Sequence, residues 1–332
     1  MAQPVIIEAA INGGTPKSRN PGVPRTPAEV AADGLRCIAA GAAIVHNHND
    51  EPVIGGASCV HAPEPYIEAW RAILAERPDA LLYPTMASGG PGTDIETRYA
   101  HIPALHAAGV TRLGLVDAGS VNVGPNDAQG LPSGGATYIN TFDDARHMIL
   151  TCHRLGLAPS VSIFEPGFLR VVLAYHAAGL LPPGALIKFY FGAQNWGLPP
   201  TPASLDAYVA MLDGTGLSWS VAVLGGDLLS LPVAEYALER GGHLRVGLED
   251  YGGPGTPGNV ELVERAVTLA NCNGRTIATP AKPQPSSASH IVRGAHAVSA
   301  ASHHQRHAPA SDDLASGRPR RRSANHVAAA PG

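Results

Sequence analysis

Short runs of apolar, β-favouring residues alternate along this chain with stretches whose apolar positions recur at three- and four-residue spacing. The first kind reads as buried strands, the second as amphipathic helices. A strand is predicted over 5–10, followed by a Gly- and Pro-rich loop over 12–27. Thr26-Pro27-Ala28-Glu29 then carries the marks of a helix start: a hydroxyl cap, proline at the first helical position and Glu at the third. That helix turns Val30, Leu35 and Ile38 towards a core and stops at Gly41. The pattern continues with a strand ending at His46 and His48, a helix over 63–77, a strand over 80–84, a helix over 94–108 and a strand over 111–116. After a long polar loop, 117–135, comes a helix over 142–155. Strands over 160–164, 185–191, 218–224 and 244–248 then alternate with helices over 168–178, 203–212, 231–240 and 259–270.

Strands that are apolar on both faces and separated by helices belong to a parallel sheet covered on both sides. Eight strand–helix units in about 275 residues predict a closed (β/α)8 TIM barrel. An open doubly wound sheet is the alternative, but no GxGxxG phosphate turn follows the first strand. Residues 1–280 are expected to form the barrel, and 281–332, rich in Ala, Ser, Pro, His and Arg without periodicity, a disordered C-terminal tail. The tail holds seven Lys and Arg against two Asp, so the net −4 of the whole chain hides a more acidic barrel. Its run Arg318-Pro319-Arg320-Arg321-Arg322 reads as a solvated charge cluster, and its histidines receive no function.

Composition narrows the function classes. A net charge of −4 gives no electrostatic reason for a nucleic-acid or membrane partner. Four scattered cysteines without a CxxC pair point to reduced thiols and a cytoplasmic location. The N-terminus has no basic and apolar segments of a signal peptide, and no apolar run is long enough to span a bilayer.

The candidate chemistry starts from Ile44-Val45-His46-Asn47-His48, two histidines at i and i+2 at the end of a buried strand. Alternation puts both imidazoles on one side, half of a metal site suited to zinc. The plainer alternative is one core histidine and one loop histidine. In a (β/α)8 barrel the active site lies at the C-terminal strand ends. That rule selects Asn12, then His46, His48 and Asp50, then Thr85, Ser88, Gly89 and Gly90, then Asp117, Gly119, Ser120 and Asn122. From the later strands it selects Glu165, Gln194, Asn195, Asp227, Arg245, Glu249 and Asp250. Only the first strand separates the second from the eighth, so Glu249 can approach His46 and His48 across the barrel mouth. Two imidazoles and one carboxylate leave a fourth zinc position open, as catalysis requires. Arg245 and Glu249 share a strand face; Asp250 points to the other unless the backbone turns there. An Arg–Asp pair of this kind can act as an oriented base. The alternatives are a macrodipole-favoured acidic pair for Glu249-Asp250 and a helix-capping role for Glu165. Gly89-Gly90 before a helix offers backbone N–H groups to an anion.

These residues resemble the β-keto acid cleavage enzymes, the family of 3-keto-5-aminohexanoate cleavage enzyme. The likeness covers most of residues 4–280. It rests on the block 41–48 with its two histidines, on Ser88-Gly89-Gly90, Gly119-Ser120-Val121-Asn122 and Phe164-Glu165, and on the long block 241–250 that ends in Glu249-Asp250. The resemblance implies a zinc-dependent barrel with His46, His48 and Glu249 as ligands, Zn2+ as cofactor, and Asp250 as a base oriented by Arg245. It implies that a β-keto acid and acetyl-CoA become acetoacetate and a new acyl-CoA, with Glu165 hydrogen-bonding the reacting groups. Thr85, Ser88, Gly89, Gly90, Ser120 and Asn122 would contact substrate, and the chain is expected to form a homo-oligomer. Four positions depart from the family pattern. Asn49 stands where an Arg is frequent, Tyr251 where an Asn is frequent, Ala87 in place of a carboxylate-binding Ser, and Thr15 in place of the acid that receives a substrate amine. The substrate implied is a neutral or differently substituted β-keto acid rather than a cationic amino-keto acid. The rival readings are a metal-dependent hydrolase of the amidohydrolase type, a CoA-independent C–C lyase and a non-catalytic barrel that binds a keto acid. The first normally carries HxH on strand one and further strand-end histidines, unlike this chain.

Overall fold

The computed structural model describes residues 3–49, 61–87, 93–134, 136–193 and 195–279, all within one compact unit over 1–284. The first half of the chain gives β1 (Ile7–Ala10), α1 (Pro27–Ala40), β2 (Ile44–Asn47), α2 (Glu64–Glu76) and β3 (Leu81–Pro84). It continues with α3 (Ile95–Tyr99), α4 (His101–Ala107), β4 (Leu113–Asp117), β5 (Val121–Val123), β6 (Ala136–Tyr138) and α5 (Phe142–Leu155). The second half gives β7 (Ala158–Ile163), α6 (Pro166–Ala177), β8 (Leu186–Gly192), α7 (Pro202–Met211), β9 (Ser218–Leu224), α8 (Pro232–Glu239), β10 (His243–Val246) and α9 (Asn259–Cys272).

Eight parallel strands form one sheet in the order β3-β2-β1-β10-β9-β8-β7-β4, with helices between them. Its two outer members also lie side by side, and the Thr111 hydroxyl donates to the Leu82 carbonyl across that seam (2.8 Å). The sheet is therefore a nearly closed barrel, as the alternation of elements predicts. The core is the layer between strands and helices, filled by Ile7, Val45, Leu82, Val161, Ile187 and Val221 from the sheet and by Trp70, Ile102, Met148 and Tyr208 from the helices. The capping box at Thr26 forms as read, with the Thr26 hydroxyl accepting from the Glu29 N–H and the Glu29 carboxylate accepting from Thr26.

Two segments differ from expectation. The single helix predicted over 94–108 is broken at Ala100 into α3 and α4. Pro103 lacks the N–H that would continue the first helix and is tolerated only in the opening turn of the second. The polar loop predicted over 117–135 contains most of a small antiparallel hairpin, β5 paired with β6. Each of its strands has three residues, too few for alternation to stand out from loop sequence. The described cysteines Cys37, Cys152 and Cys272 are unpaired thiols, as expected, and Cys59 lies outside the described residues. No described helix is long and apolar enough to cross a membrane.

One stability prediction arises from the barrel floor. His243 Nδ1 accepts the Ile6 N–H (3.1 Å), so this ring works as a neutral acceptor. Burial, helped by the Arg275 charge, pushes its pKa from 6.5 down to about 4. Above pH 6.5 both folded and unfolded chains carry a neutral imidazole. Between pH 6.5 and 4 the unfolded chain takes the proton first, so stability falls across that window and the loss levels off below it. The shift corresponds to about 3 kcal/mol, and the buried His101, pushed down to about 4, adds to it with the same sign. Denaturant midpoints at pH 7, 5.5 and 4.5 should fall steadily. His243→Asn, which keeps an acceptor near the Nδ1 position, should recover part of the loss. A midpoint that does not move with pH would contradict this reading.

Candidate active site

The histidine strand is held in place from its neighbours. On β2, Asn47 points away from the imidazoles and accepts the Trp70 indole N–H (2.8 Å), while His46 and His48 turn to the other face. Asn12, just past β1, fastens the segment beyond the strand. Its side-chain oxygen accepts the His48 N–H (2.8 Å) and its amide donates to the His48 carbonyl (2.9 Å). His46 Nδ1 faces the Tyr83 carbonyl (3.2 Å), an acceptor only, so that nitrogen carries the proton and Nε2 is left as a ligand atom. Burial pushes the His46 pKa to about 4, against the pull of Glu249, which keeps the ring neutral as metal binding needs.

Glu249 arrives by a turn that only a glycine permits. Gly247 has φ +139°, and a Cβ there would come within 2.1 Å of the Ala10 carbonyl oxygen. The chain reverses at this point, with the Tyr251 N–H donating to the Gly247 carbonyl (3.0 Å) and the Glu249 N–H donating to Ala10 (3.1 Å). Gly13 packs directly on Glu249, where a Cβ would sit 2.1 Å from its Cγ. The result is a convergence of three side chains. His46 Nε2 lies 3.1 Å and His48 Nε2 3.3 Å from the Glu249 carboxylate, and one ligand atom from each residue falls within 4.8 Å of the others.

These atoms fit a shared cation better than one another. His48 Nε2 and Glu249 Oε2 are buried and make no aligned hydrogen bond. Orphaned buried polar atoms are costly, and three donors aimed at one point offer a lone-pair set to a divalent ion. Burial alone would raise the Glu249 pKa, but the Arg245 guanidinium, with the two imidazoles beside the carboxylate, overcomes it and holds the carboxyl well below the ordinary range.

The same turn brings Asp250 back to Arg245, the case in which the backbone bends after the strand. Arg245 Nε and Nη2 grip the two Asp250 oxygens at 2.8 and 3.2 Å, and Nη2 also reaches Glu249 Oε1 (2.9 Å). Burial and the neighbouring Glu249 raise the Asp250 pKa above the ordinary carboxylate range, with Arg245 opposing. A carboxylate with raised proton affinity therefore stands beside the three converging side chains.

The other expected site residues form separate groups. Glu165 sits at the end of β7 as the residue preceding α6; its carboxylate accepts the Gly197 N–H (2.8 Å) rather than capping the helix. Ser120 exchanges hydrogen bonds with the backbone of Asn140 (3.0 Å each). Glu165 and Ser120 line one cavity of about 660 Å3 with Ala118, Gly119 and Phe168 that runs along α6 past Val171 and Tyr175, and none of His46, His48 and Glu249 lines it. Asn122 accepts the Thr137 hydroxyl within the hairpin (2.9 Å), and the Thr85 carbonyl faces His101 Nε2 (2.9 Å). Ser88, Gly89, Gly90, Asp50 and Gln194 lie outside the described residues. Thr15 donates to the Leu248 carbonyl (2.7 Å), beside the Glu249 turn, and Asn49 donates to Ala62 (2.8 Å) and faces His61 (2.7 Å).

Sequence reading missed a buried ionic layer beneath the site: Glu8, Tyr83 and Lys188, on β1, β3 and β8. A signal existed. Glu8 and Lys188 each stand inside an otherwise apolar strand, where a charge must be paired if the strand is buried. Burial would raise the Glu8 pKa, yet Lys188 and Arg245 beside it bring it down to about 2.

The family model described as beta-keto acid cleavage enzyme matches residues 4–284. The chain belongs to the beta-keto acid cleavage enzyme family. Among curated members of similar sequence, a 3-keto-5-aminohexanoate cleavage enzyme from Fusobacterium nucleatum is 30% identical over 287 residues, covering 84% of this chain and 96% of that protein. A 3-dehydrocarnitine:acetyl-CoA trimethylamine transferase from Rhizobium meliloti is 28% identical over 304 residues, covering 84% of this chain and 95% of that protein. Of solved structures, ObcA in complex with a C4-CoA adduct and oxalate superposes with a TM-score of 0.63 at 19% identity, covering 80% of this chain and 67% of that one. That likeness supports the same barrel fold. Family membership also sets aside the amidohydrolase reading of the two histidines.

Proposed function

We propose that this chain is a zinc-dependent β-keto acid cleavage enzyme that converts a β-keto acid and acetyl-CoA to acetoacetate and a new acyl-CoA. The observation that carries the reading is the meeting of His46, His48 and Glu249 beside the Arg245–Asp250 pair. Zinc held by those three ligands supplies positive charge beside the keto group and makes the adjoining C–H more acidic. Asp250 takes the proton from the carbon between the keto and carboxylate groups. Arg245, gripping both Asp250 oxygens, fixes the direction from which that proton leaves. The carbon nucleophile attacks the thioester carbonyl of acetyl-CoA and displaces the CoA thiolate. The thiolate then adds to the original keto carbon. Scission between that carbon and its α-carbon releases the new acyl-CoA, and the α-carbon leaves with the acetyl group as an enolate that takes the proton back from Asp250 to give acetoacetate.

The reading assigns Glu165 to hydrogen-bonding the reacting groups and Thr85, Ser88, Gly89, Gly90, Ser120 and Asn122 to substrate contact. It carries with it a cytoplasmic homo-oligomer and an active unit within residues 1–280. The Thr15 hydroxyl, engaged with Leu248, offers a substrate amine no charge partner, which favours a neutral or differently substituted β-keto acid. A panel of β-keto acids with acetyl-CoA tests the reading, with acetoacetate and acyl-CoA as readouts, on the full chain and on a chain ending at Thr279. Turnover that requires acetyl-CoA, equal in both chains and strongest with an uncharged side group, is expected. C–C cleavage without CoA would point to the lyase reading, and keto acid binding without turnover to a sensor.

A further inference from the structure

We propose that Glu8 is a positioning residue that sets the angle of Arg245 and, through it, the base Asp250. The inference rests on the reading of Asp250 as the base. Its ground is the use of the Arg245 guanidinium on both sides, with four hydrogen bonds to Asp250, Glu8 and Tyr83 and a further ion pair to Glu249. On one side Nε and Nη2 hold Asp250 and Glu249. On the other, Nη1 donates to Glu8 Oε1 (2.6 Å) and to the Tyr83 hydroxyl (3.0 Å). Glu8 and Arg245 are register partners on adjacent strands, so the carboxylate stands directly across from the guanidinium stem.

Glu8 is itself immobilised. It accepts the Tyr83 hydroxyl proton, and Lys188 Nζ lies 3.6 Å from the same oxygen while donating to the Tyr83 hydroxyl (2.7 Å). All four side chains are buried from bulk solvent, and every printed contact of the Glu8 carboxylate falls on Oε1, Oε2 having no hydrogen-bond partner among the described residues. Arg245 is thus clamped at both ends of its plane. A guanidinium pulled only from the Asp250 side can swing about its long stem and carry the carboxylate with it. With Glu8 in place, two rigid strands determine the direction of the Asp250 lone pairs, although Glu8 touches no reacting atom.

Glu8→Gln, in the full-length chain purified with zinc, tests this. The amide keeps an acceptor but removes the charge that anchors Nη1. A fall in kcat of about a hundredfold is expected from a displacement of the base by about 1 Å, with KM for both substrates and bound zinc little changed. Combined with Asp250→Asn, Glu8→Gln should cost nothing further, because it acts through Asp250. A crystal structure of Glu8→Gln should show Arg245 no longer gripping both Asp250 oxygens. Wild-type kcat in folded Glu8→Gln, a full multiplicative loss in the double variant, or an unmoved Arg245–Asp250 pair would each overturn the proposal. Should Glu8→Gln fail to fold, Tyr83→Phe removes one Nη1 acceptor and the donor to Glu8, and a smaller loss of about tenfold with the same pattern is expected. If no β-keto acid turns over in the wild type, the functional reading fails, while the crystallographic comparison still decides the positioning role.

Discussion

His48→Ala is expected to leave a folded barrel that holds little or no zinc and has no measurable acetyl-CoA-dependent cleavage. The residue is one of three whose ligand atoms meet, and its Nε2 makes no aligned hydrogen bond that the fold would miss. Its backbone, by contrast, is fixed by Asn12 through two hydrogen bonds that the substitution leaves in place. The metal and the fold should therefore separate. Loss of a bound Lewis acid removes several kcal/mol from the stabilisation of developing negative charge, a decrease in kcat/KM of at least about a thousandfold. Elemental analysis of the purified variant, its thermal unfolding and its turnover should be read together. Wild-type chain is expected to carry about one zinc. Full activity in a variant without metal would remove zinc from the reaction.

Asp250→Asn is expected to lower kcat by about a thousandfold, within the usual range for loss of a general base, while zinc stays bound. Asn preserves the shape and one acceptor oxygen for Arg245 but has no basic lone pair for a carbon acid. Because Asp250 does not belong to the ligand set, metal content should match wild type, which distinguishes this variant from His48→Ala. Removing the charge also relieves the repulsion with Glu249 that burial intensifies, so no large loss of stability is expected despite the buried Arg245. More than a tenth of wild-type kcat in zinc-loaded Asp250→Asn would move the base elsewhere. Glu165 would then come under test, since it follows β7 at the C-terminal strand ends and lines the 660 Å3 cavity.

Legibility differed from residue to residue. The HxH strand and the Glu249-Asp250 pair were readable because both lie at the ends of strongly apolar strands, and the barrel topology puts those ends at one mouth. The strand order followed from the same alternation, whereas the opening of the sheet between β3 and β4 did not. Glu8 and Lys188 escaped because an isolated charge in a strand says that a partner exists but not which one. Their partners, Arg245 and Tyr83, are 237 and 105 residues away in sequence. Ser120 and Glu165 were found by strand-end position, yet that rule cannot tell which end residues face the histidines and which face a neighbouring cavity.

The amino-acid pattern by itself determined the architecture and the ligand types, since burial of eight apolar strands and the alternation of their side chains are local properties repeated along the chain. Only the tertiary structure decided where Asp250 points. A regular strand would have sent it away from Arg245, and the reversal depends on Gly247 pressing against Ala10 of a strand at the opposite end of the sequence. Whether two charges meet is a matter of distance in space, and that distance is set by packing between segments that spacing along the chain does not relate.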